Sequence, residues 1–344
     1  MKVYVGMSGG VDSSLTASLL KEQGYDVTGV YMKNWTKDLP GMKCPWADDL
    51  ADAKRVAVQL GIDFKVFDFE NEYKQKVVDY MINEYRLGRT PNPDIMCNQE
   101  VKFKLFLETA LEDGADMIAT GHYARVQNGV LRQAVDTNKD QTYFLYRVTS
   151  EALKKTLFPL GEFTKPAVRE MAVERGLYTA AKKDSQGICF VGQIGIREFL
   201  SQYVKQIAGH IVDKKTDAVL GQHDGAIFYT IGQRHGLDLG GGLPYYVVGK
   251  DMDKNEVYVT TDLNNEALWR PELSLTSVHW INQAPTEGTY SIRIRHRAAL
   301  IKAAVSFNGD TVRLVLQNAE RAAASGQSVV IYDGENCIGG GIIS

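Results

Sequence analysis

The sequence predicts an α/β protein: an N-terminal domain built on a parallel sheet, followed by two small β-rich, barrel-like domains. Three observations lead there. Through about residue 205, short apolar runs alternate with helical patterns, the signature of right-handed βαβ units. Beyond that point helical periodicity stops and glycine becomes dense, with Gly209, Gly221, Gly225, Gly232, Gly236, Gly240, Gly241, Gly242 and Gly249 among short β-rich runs. A second joint falls near Asn264–Pro271, and β-rich sequence then runs to the end. The expected domains are residues 1–205, 206–268 and 269–344.

Each element has a local reason. KVYVGM (2–7) reads as a buried strand, and residues 13–23 as a helix with Leu15, Leu19 and Leu20 on one face and Gly24 as its stop. DVTGVYMK (26–33) is strand-like; a helix at about Leu50–Leu60 stops at Gly61; FKVFDF (64–69) is a strand. Helices near Tyr73–Arg86 and Val101–Glu112 follow, then DMIAT (116–120) as a fourth strand. In the second region Ala226–Ile231, Tyr245–Val248 and Glu256–Thr260 read as strands. In the third, Tyr290–Arg297, Ala303–Phe307, Thr311–Leu316 and Ser328–Tyr332 do the same.

Composition bounds the function. Lys and Arg number 39 against 42 Asp and Glu, a net charge of −3, which argues against a globally basic nucleic-acid coat but allows local basic patches. No apolar run approaches the roughly 20 residues of a membrane span, and the first apolar stretch feeds directly into a glycine turn rather than a leader. A cytoplasmic protein with no membrane partner is expected. The four cysteines, Cys44, Cys97, Cys189 and Cys337, form no C-x-x-C pair, so a zinc ribbon and stapling disulfides are not expected. A cysteine that matters here acts as a nucleophile or sulfur carrier.

Strand, then Ser8-Gly9-Gly10-Val11-Asp12-Ser13-Ser14, then helix builds a phosphate cradle. The glycines let the backbone curl and aim successive N–H groups inward, the helix N-terminus adds its dipole, and the serines add hydroxyls. Asp12 makes sense in an anion site when a magnesium ion bridges it to the phosphates. The loop has no lysine, unlike a G-x-x-x-x-G-K-[ST] loop for γ-phosphoryl transfer. It resembles instead the PP-loop of the N-type ATP pyrophosphatases, of the adenine nucleotide alpha hydrolase-like fold. That resemblance implies ATP as cosubstrate, split to AMP and pyrophosphate. Loops at the same sheet edge should contribute Met32 and Gly121, the latter for close approach of the nucleotide.

Two cysteine contexts suggest the chemistry. In GRTPNPDIMCN (88–98) two prolines stiffen the approach to Cys97, a helix begins about there, and the positive helix end should favour a thiolate. Asp94, three residues upstream, is a candidate acid or base. In KKDSQGICF (182–190) two lysines and a glycine surround the turn before Cys189, again an electropositive setting. Cys44 and Cys337 read as small buried apolar residues.

GMSGGVDSS, GRTPNPDIMCN, ATGHYAR, NKDQTYFLY, SQGICF and YTIGQRHGL, in this order along the whole chain, resemble the tRNA-specific 2-thiouridylases, the MnmA family. The resemblance implies replacement of the C2 oxygen of the wobble uridine in the tRNA anticodon stem-loop by sulfur. ATP adenylates that oxygen, a persulfide on Cys189 brings the sulfur, and Cys97 is the partner, leaving a Cys97–Cys189 disulfide. Their Cα atoms must then come within about 7 Å in the reacting state. By motif match the ATP site comprises Gly6, Met7, Ser8, Gly9, Gly10, Val11, Asp12 and Ser13 with Met32 and Gly121. Asn92, Pro93 and Asp94 meet the target base, which leaves its stack to reach the pocket. His122, Lys139, Asp140, Gln141, Arg295, His296 and Gln327 fall on tRNA-contact positions; Ser325 stands where proline is expected before Gly326. The sulfur donor is a relay protein or a cysteine desulfurase, and a monomer is favoured.

One stretch speaks for RNA without the resemblance. SIRIRHR (291–297) alternates, so on a strand Arg293, Arg295 and Arg297 share a face, and no acidic residue lies between Tyr290 and Ala304. Two rival readings are weighed against the cysteine pair and the complete SGGVDSS. One is another PP-loop ligase, the other an RNA-binding protein with a vestigial nucleotide fold.

Overall fold

The computed structural model describes residues 1–38, 44–183, 195–240 and 242–344. The N-terminal sheet holds β1 (Lys2–Gly6), β2 (Asp26–Lys33), β3 (Asp63–Asp68), β4 (Met117–Ala119) and, beyond the hairpin strands β5 (Arg125–Gln127) and β6 (Val130–Arg132), β7 (Thr156–Leu157). All its pairings are parallel, in the order β3-β2-β1-β4-β7. β1 is central and carries Val3, Tyr4 and Val5 fully buried, with the two valines in one apolar cluster and Tyr4 in another. That is the double-sided burial a parallel strand requires.

Helices α1 (Val11–Glu22) and α2 (Trp46–Leu60) flank the sheet. The chain is helical again over 70–86, here α3, and over 93–112, here α4. Both contain wide turns, at Lys74–Asp79 and Cys97–Leu105. α5 (Lys165–Glu174) packs on α1. The chain reverses direction across the sheet between β1 and β4, so the carboxyl ends of these strands open the crevice where such sheets bind ligands.

β8 (Gly209–Asp213), β9 (Val219–His223), β10 (Tyr246–Asp251) and β11 (Glu256–Thr260) form a second sheet, order β10-β11-β8-β9. Ala226–Ile231 was expected as a strand here. Residues Ala226–Phe228 instead make a tight helical turn, because Gly225 enters at φ 144 and Ala226 is drawn inward by Asn255.

The last sheet contains β12 (Trp269–Trp280), β13 (Gly288–Arg293), β14 (Ile301–Asn308), β15 (Thr311–Arg321), β16 (Ser328–Asp333) and β17 (Asn336–Ile343). Pairing of β12 with β17 closes these antiparallel strands into a barrel. The β5–β6 hairpin of the N-terminal region adds to β17, with Leu131 opposite Cys337, so the barrel sheet is shared between distant parts of the chain. Among the described residues no helix is long and apolar enough to cross a membrane.

Candidate active site

The loop between β1 and α1 is shaped by glycine. Gly9 sits at φ +74, and a Cβ there would lie 2.3 Å from the Asp49 carbonyl oxygen. The first turn of α2 therefore presses directly on the loop. Gly10 precedes α1 with extended backbone and no side-chain cap, so the first helical N–H groups are left to a ligand. Ser13 braces the turn: its Oγ accepts from the Ser8 N–H at 3.1 Å and donates to the Gly10 carbonyl at 3.1 Å. At the far wall a Cβ on Gly121 would come within 2.9 Å of the Asp12 carbonyl carbon and the Ser13 nitrogen. Met32 lies 3.0 Å from where a Gly6 Cβ would stand, placing its thioether at the same crevice. The site fits a polyphosphate: uncapped donors, hydroxyls, and walls only glycine permits.

Gly9→Ala should therefore abolish nucleotide binding, since the left-handed φ and the collision with Asp49 act together. Gly24→Ala has a similar φ of +84 with nothing within 4 Å. It should lower stability by about 1 kcal/mol and leave ATP binding intact, as titration calorimetry and thermal melts of both variants will check.

Asp12, expected beside a magnesium ion, is held by protein groups. Lys165 Nζ donates to its two oxygens at 2.7 and 2.8 Å, and the Tyr123 hydroxyl donates at 2.9 Å. Lys165 escaped the sequence reading because 153 residues separate it from Asp12. A signal was present: a lysine opens α5, where a cation opposes the helix dipole.

Cys97 differs from expectation. α4 begins at Pro93, and Asn92 is its cap, with Oδ1 accepting from the N–H groups of Asp94 (3.1 Å) and Ile95 (3.4 Å). Cys97 thus lies a full turn inside the helix, 3% exposed in the main apolar cluster, and the dipole argument for its thiolate does not apply. Pro93 is buried, and the Asn92 carboxamide oxygen is committed to the cap. Burial pushes the Asp94 carboxyl above its ordinary range, opposed by the Lys102 ammonium. That suits a carboxyl meant to exchange a proton near neutrality.

His122 joins the two halves of the site. It follows Gly121, and its ring packs on Phe103 of α4 at 5.5 Å and edge-on to Phe158 at 6.1 Å. Its Nδ1 pairs with the Thr120 hydroxyl at 2.8 Å, and burial, reinforced by Lys102, holds it neutral. Cys189 lies outside the described residues. Just before that segment, Lys182 pairs with Asp49 (2.8 Å) and Asp52 (2.7 Å), so its charge is taken up by α2 rather than offered to a thiol.

Three family models match the chain. Residues 1–193 match the tRNA methyl transferase HUP domain, 197–261 the tRNA methyl transferase PRC-barrel domain, and 270–343 the aminomethyltransferase beta-barrel domain. The tRNA-specific 2-thiouridylase MnmA of Bacillus mycoides is 49% identical over 99% of this chain and 94% of its own. That of Bacillus cereus is 48% identical over the same shares. This chain belongs to the MnmA family of tRNA-specific 2-thiouridylases. Among solved structures, the U34-tRNA thiolase NcsA of Methanococcus maripaludis aligns at 18% identity over 59% of this chain and 65% of that chain, with a TM-score of 0.39.

Of the positions that likeness to the thiouridylases assigned to RNA, some face other roles. Asp140, 1% exposed, accepts from Arg293 at 2.8 Å, from the Thr142 hydroxyl at 2.8 and 3.0 Å and from the Ala134 N–H at 3.1 Å. Its side chain is a domain joint and cannot reach an RNA. The arginine stripe is corrected likewise. β13 ends at Arg293, which turns inward to Asp140. Arg295 donates to the carbonyls of Arg321 (2.9 Å) and Ala322, and Arg297 sits at φ 65 beyond the strand. The three therefore share no strand face. His296 stacks on Phe144 at 4.5 Å, and burial together with Arg297 and Arg293 lowers its pKa to about 4. At neutral pH it brings a ring and hydrogen bonds, not a charge. Gln141 Oε1 accepts from the Tyr123 N–H at 2.9 Å, Gln327 Oε1 from the Ala324 N–H at 3.1 Å, and Lys139 is half-buried. Cys44 and Cys337 are buried, and burial raises both thiols.

Proposed function

We propose that this protein thiolates tRNA: it adenylates the C2 oxygen of the wobble uridine with ATP and replaces that oxygen with sulfur, giving 2-thiouridine, AMP and pyrophosphate. The observation that carries the reading is the packing of His122, adjoining the glycine-walled cradle, on Phe103 of the helix that bears Asp94 and Cys97. Nucleotide site and thiol helix form one wall.

The cradle of Gly6 to Ser13, with Met32 and Gly121, holds ATP. Asp12 would hold a magnesium ion carried in with the nucleotide, which neutralises phosphate charge. The uridine O2 attacks the α-phosphorus, the bond to the bridging oxygen breaks, and pyrophosphate leaves with the electron pair. The terminal sulfur of a Cys189 persulfide then attacks C2 and AMP departs. Cys97 attacks Cys189, the bond to the transferred sulfur breaks, and a Cys97–Cys189 disulfide remains for an external thiol to reduce. Asn92, Pro93 and Asp94 meet the flipped base, with Asp94 moving its proton. Lys139, Gln141, Arg295, His296 and Gln327 face the anticodon stem-loop, and His122 orients the base from within the wall rather than from the surface.

The same reading makes residues 1–205 the catalytic domain, 206–268 a small central domain and 269–344 a barrel that meets tRNA. The protein acts as a cytoplasmic monomer and takes its sulfur from a relay protein or a cysteine desulfurase. The test is thiolation of unmodified tRNA with ATP, magnesium and a persulfide donor, read by nucleoside mass spectrometry and AMP release. 2-Thiouridine formed only with ATP is the expected result. Formation of a methylated uridine, or AMP release with no change in the tRNA, overturns it.

A further inference from the structure

The cradle contains no lysine in its own loop, yet the fold delivers one. Lys165 opens α5 and reaches back to the cradle. It is 8% exposed and grips both oxygens of Asp12, whose side chain is 32% exposed. Its backbone is fixed as well, since the Lys165 N–H donates to Asp136 at 2.9 Å. The Tyr123 hydroxyl on Asp12 and the Tyr123 ring 5.8 Å from the ammonium complete a small cationic wall beside the uncapped helix start.

A buried lysine is expensive unless its charge has a use or a partner. Here the partner is a carboxylate in the second position of α1, in the middle of a loop built to take an anion. An ordinary structural ion pair gains nothing from that location. A triphosphate entering the cradle brings oxygens that compete with Asp12 for the ammonium, and a four-carbon stem allows the Nζ to change partner without moving α5.

We propose that Lys165 is the phosphate-positioning cation of this site: parked on Asp12 in the resting protein, it binds the β- and γ-phosphate oxygens of ATP and holds the departing pyrophosphate. It transfers no proton. As the Pα–O bond breaks, charge accumulates on the leaving pyrophosphate, and a fixed ammonium stabilises it. The proposal rests on the ATP-dependent reading above and assigns to that site a residue which loop motifs alone do not contain.

The test compares ATP with AMP, since only ATP presents the pyrophosphate. Binding is measured by calorimetry on the full chain in metal-free buffer, for wild type, Lys165→Met and the double variant Lys165→Met with Asp12→Asn. Thermal melts establish that each variant is folded. In Lys165→Met, ATP affinity should fall roughly ten- to a hundredfold, the loss of a charge-assisted contact, while AMP affinity changes less than about twofold. The double variant carries no unpaired buried carboxylate, so it controls for misfolding. It should remain as poor for ATP as the single variant. An unchanged preference for ATP over AMP in Lys165→Met, or a preference restored in the double variant, shows that Lys165 merely neutralises Asp12 and overturns the proposal. Wild type that binds neither nucleotide overturns the cradle reading itself.

Discussion

Cys97→Ser and Cys189→Ser will each lower tRNA thiolation by at least about a thousandfold, the scale on which nucleophile replacements act. Serine cannot form an S–S bond, so Cys189→Ser has no persulfide to deliver, and Cys97→Ser cannot break the link to the transferred sulfur. Neither substitution touches the glycine cradle, so ATP affinity should stay at the wild-type value. The two variants should differ in what accumulates. Cys189→Ser takes up no sulfur from a persulfide donor, whereas Cys97→Ser loads sulfur on Cys189 and stalls. Mass spectrometry of the intact protein after donor treatment distinguishes them.

The control is Cys337→Ser. Its thiol is 2% exposed, with Sγ 3.9 Å from the Thr142 carbonyl, and burial raises its pKa well above the ordinary value. It packs the joint between barrel and hairpin and has no route to substrate. The variant should lose about 1–3 kcal/mol of stability, the cost of burying a hydroxyl there, and keep its thiolation rate. Because Cys97 is also buried, Cys97→Ala accompanies Cys97→Ser as a variant that introduces no polar group. Full thiolation by both Cys97 variants would reduce Cys97 to a core residue and sink the mechanism.

What the sequence shows and what it hides follow from range. The parallel sheet, the cradle and the barrel were legible because strand periodicity, glycine turns and alternation are written within about ten residues. The helix at Pro93 was read as starting near Cys97 because the two prolines suggested a loop; a proline in the first helical turn, with Asn92 as cap, is equally a start signal. The arginine stripe failed for another reason. Alternation assigns a face only while the strand lasts, and β13 ends at Arg293, where Asp140 from a distant segment pulls the guanidinium inward. Lys165 on Asp12 was hidden in the same way. Pairings across more than a hundred residues leave no local periodicity to read.

The Asp140–Arg293 pair sets the second large expectation. Arg293 is 6% exposed, and its guanidinium lies 5.5 Å from the Tyr332 ring centre. Around it Tyr143 donates to the carbonyls of Ile294 (3.1 Å) and Ser328 (3.0 Å), stitching residues 139–146 to the barrel. Arg293→Met leaves a carboxylate buried without its cation, which should lower stability by about 3–5 kcal/mol. By comparison, Arg313→Met removes an equally short pair, 2.7 Å to Glu272, whose side chains are about half exposed; the expected loss is under about 1 kcal/mol. The double variant Asp140→Asn with Arg293→Met should recover most of the loss, because an amide can still accept from the Thr142 hydroxyl and the Ala134 N–H while methionine covers Tyr332. Chemical denaturation of the variants measures this directly. The joint also fixes Lys139 and Gln141 of the first domain relative to Arg295 and His296 of the barrel. Arg293→Met should therefore weaken tRNA binding several-fold while leaving ATP affinity unchanged, and the double variant should restore the tRNA affinity along with the stability. An Arg293 that touched RNA itself would give the opposite pattern: the double variant would regain stability and remain deficient in tRNA binding.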